Sequence, residues 1–175
     1  MEALKAIAER CSYRGMFEKT PVPREDLVKI LEAGYAAPSG CNKQTTSFIG
    51  LDDADTLRSV VSLMNSEWMN SAPAAICVLT RKIPGNGGML FNVQDYAAAV
   101  ENMLLAVTAL GYASCWIEGY ITGGDKINRQ MAGVLGVPPE YELVAFLPVG
   151  IPAEKKSRAV KEPFDERVWF NGFGK

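Results

Sequence analysis

The 175-residue chain contains no histidine. Without imidazole there is no Ser-His-Asp or Cys-His nucleophile system, no His-ligated zinc or haem, and no neutral-pH general base of the commonest kind. Cysteine is scarce. Cys11, Cys41, Cys77 and Cys115 are separated by 30, 36 and 38 residues, with no C-x-x-C pair, so they read as ordinary reduced thiols and no metal site is expected. A surplus of one charge is lacking too: 18 Lys and Arg stand against 20 Asp and Glu, for a net charge of −2. That balance disfavours a nucleic-acid groove or an anionic membrane surface and points to a small-molecule partner. The first ten residues, Met-Glu-Ala-Leu-Lys-Ala-Ile-Ala-Glu-Arg, hold no uninterrupted apolar run, so no signal peptide is read and a cytoplasmic location is expected. From Tyr96 to Ile117 only Glu101 is charged. Glu101-Asn102 and Gly111 nevertheless break that stretch, which reads as a helix ending near Leu110, a Gly111 cap and a short buried strand over Ala113–Ile117.

What is present describes one ordinary globular domain. Hydrophobic residues make up 48% and charged residues 22%, and a chain of this size buries roughly 70% of its unfolded surface without a disulfide or metal staple. Leu4, Ile7, Ala8 and Cys11 lie at helical spacing in an opening amphipathic helix. Val22-Pro23-Arg24-Glu25-Asp26 starts a second helix, which Pro38 stops. Further helices are expected from Asp53 to about Met64, from Asn92 or Asp95 to Leu110, and from Lys126 to Leu135. Strands are expected over Thr45–Leu51, Pro73–Thr80, Ala113–Ile117 and Leu143–Ile151. The elements do not alternate strictly, so the expected fold class is α+β, a central, mostly antiparallel sheet surrounded by helices. Residues 153–175 change character, being charged at first and then carrying Trp169, Phe170 and Phe173 in a tail with little helical periodicity. Such aromatics dock either on this chain or on a partner.

Three constellations bear on chemistry. Arg10-x-Ser12-x-Arg14 places two guanidiniums and a hydroxyl where they can grip a phosphate, or where a helix simply ends in solvent. Pro38-Ser39-Gly40-x-Asn42-x-Gln44 combines amides suited to a heterocycle's edge with a glycine that permits close backbone approach, or is a turn that stops a helix. Ser114-Cys115-Trp116-Ile117-Glu118-Gly119 offers a flat ring and strand-end N–H groups, or is core. Pro84-Gly-Asn-Gly-Gly88 matches neither dinucleotide nor P-loop spacing and reads as a loop.

Together these segments resemble the nitroreductase family of FMN-dependent oxidoreductases. The resemblance runs from Arg10-Cys-Ser-Tyr-Arg14 through Val22–Ala33, Ala37–Gln44 and Glu101–Gly119 to Leu135-Gly-Val-Pro-Pro-Glu-Tyr. It implies an intertwined homodimer with FMN at the interface, the tail docking on the partner subunit. Arg10 and Ser12 would contact the cofactor's phosphate end, Cys11 between them would also touch the cofactor, and Arg14 would lie near its pyrimidine edge. Pro38, Ser39, Gly40 and Asn42 would reach it from the other subunit. Asn65 would supply a pyrimidine-binding amide. Trp116, Ile117, Glu118 and Gly119 would line the ring, and Lys161, or Arg158, would complete the phosphate site. The implied activity is a ping-pong transfer of hydride from NAD(P)H through flavin N5 to an electron-poor acceptor such as a nitroaromatic or quinone, with no side-chain acid or base. The alternative is an FMN storage or sensing protein with little turnover. Thr45-Thr46 stand where many relatives carry Pro and an aromatic residue, and the Arg81–Met89 connection is too short for the helical roof of larger members.

Overall fold

The computed structural model describes residues 2–174. Its organising element is the strand β2, Ala74–Thr80, in which every residue is buried. The strand has period-two side-chain alternation, and both of its faces are covered. Ala74, Ile76 and Val78 enter one core, while Ala75, Cys77 and Leu79 enter the other. β1 (Thr46–Leu51) and β3 (Glu142–Val149) flank β2, each antiparallel to it, in the order β1-β2-β3. A bulge between Val78 and Leu79 leaves Val144 unmatched, because Val78 faces Ala145 and Leu79 faces Leu143. Consecutive residues Val144 and Ala145 consequently fall in the same core, with Leu143 and Phe146 in the other. An extra residue in one strand produces this change of face.

The first core lies under α2 (Arg24–Tyr35) and α5 (Asn92–Ala109), through Leu27, Ile30, Tyr96, Val100, Met103, Leu104 and Val107. The second lies under α3 (Ala54–Val61), the single-turn α4 (Glu67–Asn70) and α6 (Gly119–Thr122), and α7 (Ile127–Val134). The result is the expected α+β arrangement, a sheet with helices on both faces. α5 ends as its sequence implies. Gly111 adopts φ +90°, its N–H donates to Thr108 O at 3.1 Å, and Tyr112 N–H donates to Val107 O at 3.0 Å. This is a Schellman cap, and a glycine accepts its left-handed conformation without a Cβ penalty.

Two expectations change. Ala113–Ile117 is not a strand with a continuous ladder. It runs along the free edge of β3 and touches it only at its two ends, Ala113 to Gly150 and Ile117 to Phe146, with a third isolated bridge from Ser114 to Ser12 on its other side. The opening helix α1 (Ala3–Glu9) forms, but its expected apolar face buries only Ala6, leaving Leu4 80% and Ile7 54% exposed. Among the described residues no helix is long and apolar enough to cross a membrane.

Candidate functional site

The segment from Arg10 to Phe17 is held in place by distant parts of the chain. Tyr13 N–H donates to Ser114 O at 2.9 Å, Ala153 N–H to Met16 O at 2.9 Å, and Phe17 N–H to Ser71 Oγ at 2.9 Å. Tyr13 and Phe17 are buried against Ala72 and Ala113. With these anchors inward, alternation turns Ser12 and Arg14 outward, and both are exposed. They line a cavity of about 630 Å³ with Ile7, Ala8, Arg10, Cys11, Ser157, Arg158, Ala159 and Lys161. Four cations, Arg10, Arg14, Arg158 and Lys161, thus face one space whose wall carries no carboxylate. Arg10 Nε approaches Glu101 Oε1 on α5 at 2.9 Å, yet it lacks the alignment of a hydrogen bond and remains a donor without an acceptor.

The loop from Pro38 to Gln44 hangs on a single buried carboxylate. Asp95, in the first turn of α5, accepts from Gly40 N–H at 2.7 Å through Oδ1 and from Thr45 Oγ1–H at 2.6 Å through Oδ2. Ser39 Oγ accepts from Gln44 N–H at 3.0 Å. Between these ties Cys41, Asn42 and Gln44 all take positive φ, 51°, 52° and 49°. Asn tolerates that region; for Cys41 and Gln44 it costs on the order of 1 kcal/mol each, strain of the kind that collects at ligand-binding loops. Gly40 is required by its own chain, since a Cβ there would lie 2.4 Å from the Phe91 ring. Pro38, Ser39 and Asn42 open onto a second cavity of about 650 Å³, also lined by Gln44, Thr46, Arg81 and Asp95. This cavity and the cationic one share no lining residue.

The third segment leaves the sheet at Ile117, whose N–H and carbonyl pair with Phe146 at 3.0 and 2.9 Å. The next side chain, Glu118, accepts from Tyr96 Oη–H at 2.6 Å. Burial, and then the hydrogen bond to the Glu118 carboxylate, hold the Tyr96 phenol protonated well above its ordinary range. The Tyr96 ring meets Trp116 edge-on, with centroids 6.4 Å apart. Trp116 Nε1 and Ser114 Oγ are buried without a hydrogen-bond partner, and a Cβ at Gly119 would meet open space. The neighbouring Cys115 thiol is raised by burial, with Arg14 acting in the opposite direction.

The structure therefore gathers Arg10, Cys11, Ser12, Arg14 and Lys161 at one cavity, and Arg158 joins them rather than replacing Lys161. Pro38, Ser39 and Asn42 meet at another, while Trp116, Ile117, Glu118 and Gly119 form a corner joined to the first segment through the bridge from Ser114 to Ser12. Asn65 is exposed between α3 and α4 and lines neither cavity. Sequence reasoning missed Asp95 and Tyr96 as adjacent anchors: successive residues of α5 hold the loop and the corner respectively. The signal was weak, since Asp95 reads only as a first-turn acid of the helix that Asn92 opens.

The charge of the site fits a phosphate-bearing group. Four cations, one of them paired with Glu101, surround a space of about 630 Å³, and Ser114 Oγ and Trp116 Nε1 are buried without acceptors in the adjoining corner. A phosphate makes charge-assisted hydrogen bonds with such guanidinium and ammonium groups. An α+β sandwich carrying such a pocket defines a cofactor-binding class of protein, and comparison with known proteins identifies the class. The nitroreductase family model matches residues 7–60 and 51–151, and the chain belongs to the nitroreductase family. An Archaeoglobus fulgidus protein with the provisional name NADH dehydrogenase/NAD(P)H nitroreductase is 31% identical over 156 residues, covering 89% of this chain and 88% of its own length. The FMN reductase [NAD(P)H] of Bacillus subtilis is 24% identical over 181 residues, covering 93% of this chain and 70% of its own length. Among solved structures, the FMN-dependent nitroreductase of Clostridium difficile R20291 superimposes with a TM-score of 0.80 at 25% identity, covering 97% of this chain and 99% of that one.

Proposed function

We propose that the protein is an FMN-dependent oxidoreductase that draws electrons from NAD(P)H and passes them to a small electron-poor acceptor such as a nitroaromatic or quinone. The observation that carries this reading is the cavity where Arg10, Arg14, Arg158 and Lys161 face one another without a carboxylate on the wall. Like charges gathered around one space repel, and an anion placed among them relieves that repulsion. Bound FMN would supply the redox chemistry, for which no histidine is needed. The chain's own residues do the rest. Arg10, Ser12, Arg158 and Lys161 hold the phosphate, and Arg14 places positive charge at the cofactor's pyrimidine edge, where it favours a reduced, anionic ring. Trp116 and the Ile117–Gly119 corner, fixed by Tyr96, offer a flat wall and N–H donors.

The same reading makes the protein a homodimer, with Pro38, Ser39, Gly40 and Asn42 completing the partner's site. In support, β1 lies at the sheet edge, paired on one side only. The apolar side of α1 is uncovered, and Phe170 and Phe173 are 72% and 85% exposed in the tail. Unpaired edges and apolar patches of this kind are normally covered in a working protein.

The test is direct. Purified protein is expected to be yellow, with flavin absorbance near about 450 nm that bleaches anaerobically with NADPH or NADH. Apoprotein is expected to bind one FMN per chain. A colourless protein that ignores added FMN overturns the reading. A yellow protein that oxidises pyridine nucleotide only marginally with every acceptor favours storage or sensing of FMN instead.

A further inference from the structure

The cavity beside the Pro38–Gln44 loop holds a cation that nothing on the chain answers. Arg81 directly follows β2, and its backbone N–H donates to Thr45 O at 2.9 Å, which sets the residue on the wall of this cavity of about 650 Å³. Its guanidinium lies over the Tyr141 ring, 5.0 Å from the centroid, a stacking contact that holds the planar group in one orientation. Arg81 Nε is nevertheless buried without an acceptor, and among the described residues no carboxylate pairs with Arg81. Two carboxylates on neighbouring elements are already engaged. Asp95, on the same wall, accepts from Gly40 N–H and Thr45 Oγ1–H with its two oxygens, and Glu142, opposite Thr80 in the ladder, pairs with Lys82 at 3.8 Å. Thr46 opens β1 on the cavity wall, and its hydroxyl is also buried without a partner.

These unmet groups describe a ligand. A fixed guanidinium takes a carboxylate through two parallel charge-assisted hydrogen bonds, and the Thr46 hydroxyl is a further donor on the same wall. Arg81 is the single cation lining this cavity, so it balances one negative charge. A phosphomonoester, at about −1.5 to −2, would leave an excess beside Asp95, whereas a carboxylate would not. The remaining wall suits a flat apolar body: Ala37, Phe48 and Ala99 contribute to it, together with Tyr35, which is 81% exposed. An apolar lining with a few placed polar groups is the usual form of a small-molecule site. Pro38, Ser39 and Asn42, which in the reading above reach the partner's cofactor, line the same cavity, so an occupant would lie beside that cofactor.

We infer that this cavity seats the electron acceptor and that Arg81 makes it selective for aromatic acceptors that carry a carboxylate. The inference rests on the flavoenzyme reading, and its test separates the two. The probes are para-nitrobenzoate and its neutral isostere para-nitrobenzamide, titrated calorimetrically into the holoprotein with no pyridine nucleotide present. The benzoate is expected to bind about tenfold more tightly, as one partly exposed charge-assisted pair allows. Arg81→Gln is expected to bring that ratio close to one, with circular dichroism and flavin content reporting on folding. Arg81→Lys keeps the charge without the planar fork and is expected to recover only part of the ratio. A benzoate seated beside the cofactor is also expected to perturb the flavin absorbance, and Arg81→Gln to need about tenfold more ligand for the same perturbation. Equal affinities in the wild type, or a ratio that survives Arg81→Gln, overturn the carboxylate site. Binding that leaves the flavin spectrum unmoved overturns its role as the acceptor's seat. A yellow protein that does not discriminate between the probes refutes this inference alone. A protein that takes up no flavin yet discriminates through Arg81 refutes the flavoenzyme reading, and with it the acceptor's role, but not the carboxylate site.

Discussion

Asp95 is 4% exposed, and each of its oxygens accepts a separate hydrogen bond, one from the Gly40 amide and one from the Thr45 hydroxyl. An amide in its place has a single acceptor oxygen, so Asp95→Asn leaves either Gly40 N–H or Thr45 Oγ1 unsatisfied, a loss of about 1–3 kcal/mol. Chemical denaturation is expected to read that loss. FMN affinity is expected to fall with it, because the loop that carries Pro38–Asn42 loses its anchor; a variant as stable as the wild type contradicts the anchoring role. At this scale the sequence was partly legible. Arg10, Ser12 and Arg14 could be read because their alternation survives any backbone that ends a helix and extends. Gly40 was read as permitting a ligand's approach, whereas the group that approaches is the Phe91 ring. No local pattern connects residue 40 with residue 91.

Strands and helices were legible wherever burial is two-sided or periodic. β2 reads as an apolar run because both faces are covered, and α2, α5 and α7 show their apolar stripes. The single-turn α4 and α6 are too short to carry a period, and Ala113–Ile117 has the composition of a strand but meets β3 only at its two ends. Burial in β2 has a measurable effect on stability. Desolvation pushes the Cys77 thiol up to about 12, against about 8.5 in an unfolded chain. The folded state thus keeps a proton that the unfolded state releases. The stabilisation is complete below about pH 8.5 and is lost as the pH rises towards the folded value, amounting to about 2 kcal/mol by pH 10. Cys77→Ala is expected to flatten this alkaline limb of stability against pH while lowering stability somewhat at pH 7. Parallel wild-type and variant curves would show that the thiol does not contribute.

For the whole molecule, the unanswered surfaces belong together. The apolar side of α1, the open edge of β1 and the aromatic tail all lack partners on their own chain. Burying even two of the tail's aromatic side chains on a second copy is worth about 3–6 kcal/mol before ordering costs. Truncation from Asp165 onward is therefore expected to shift light-scattering masses from dimer towards monomer and to release FMN in parallel, since ligand and association stabilise the same state. Masses unchanged by the deletion rule out tail exchange. In the sequence these surfaces show only as aromatics in a segment without period, and such a segment carries no sign of the surface that would receive it.

The stitching of the N-terminal segment has one more consequence, for the order of events during synthesis. Tyr13 Oη accepts from Glu154 N–H across 141 residues, and Met16 O accepts from Ala153 N–H. Arg10, Ser12 and Arg14 leave the ribosome about 140 residues ahead of Ala153 and Glu154, which tie their segment down. At about 5–20 residues per second the basic segment waits about 7–28 seconds for its framework. The basic segment is thus ordered only once residues 153 and 154 have been made, and chains that stop short of them are expected to lack this placement of Arg10, Ser12 and Arg14.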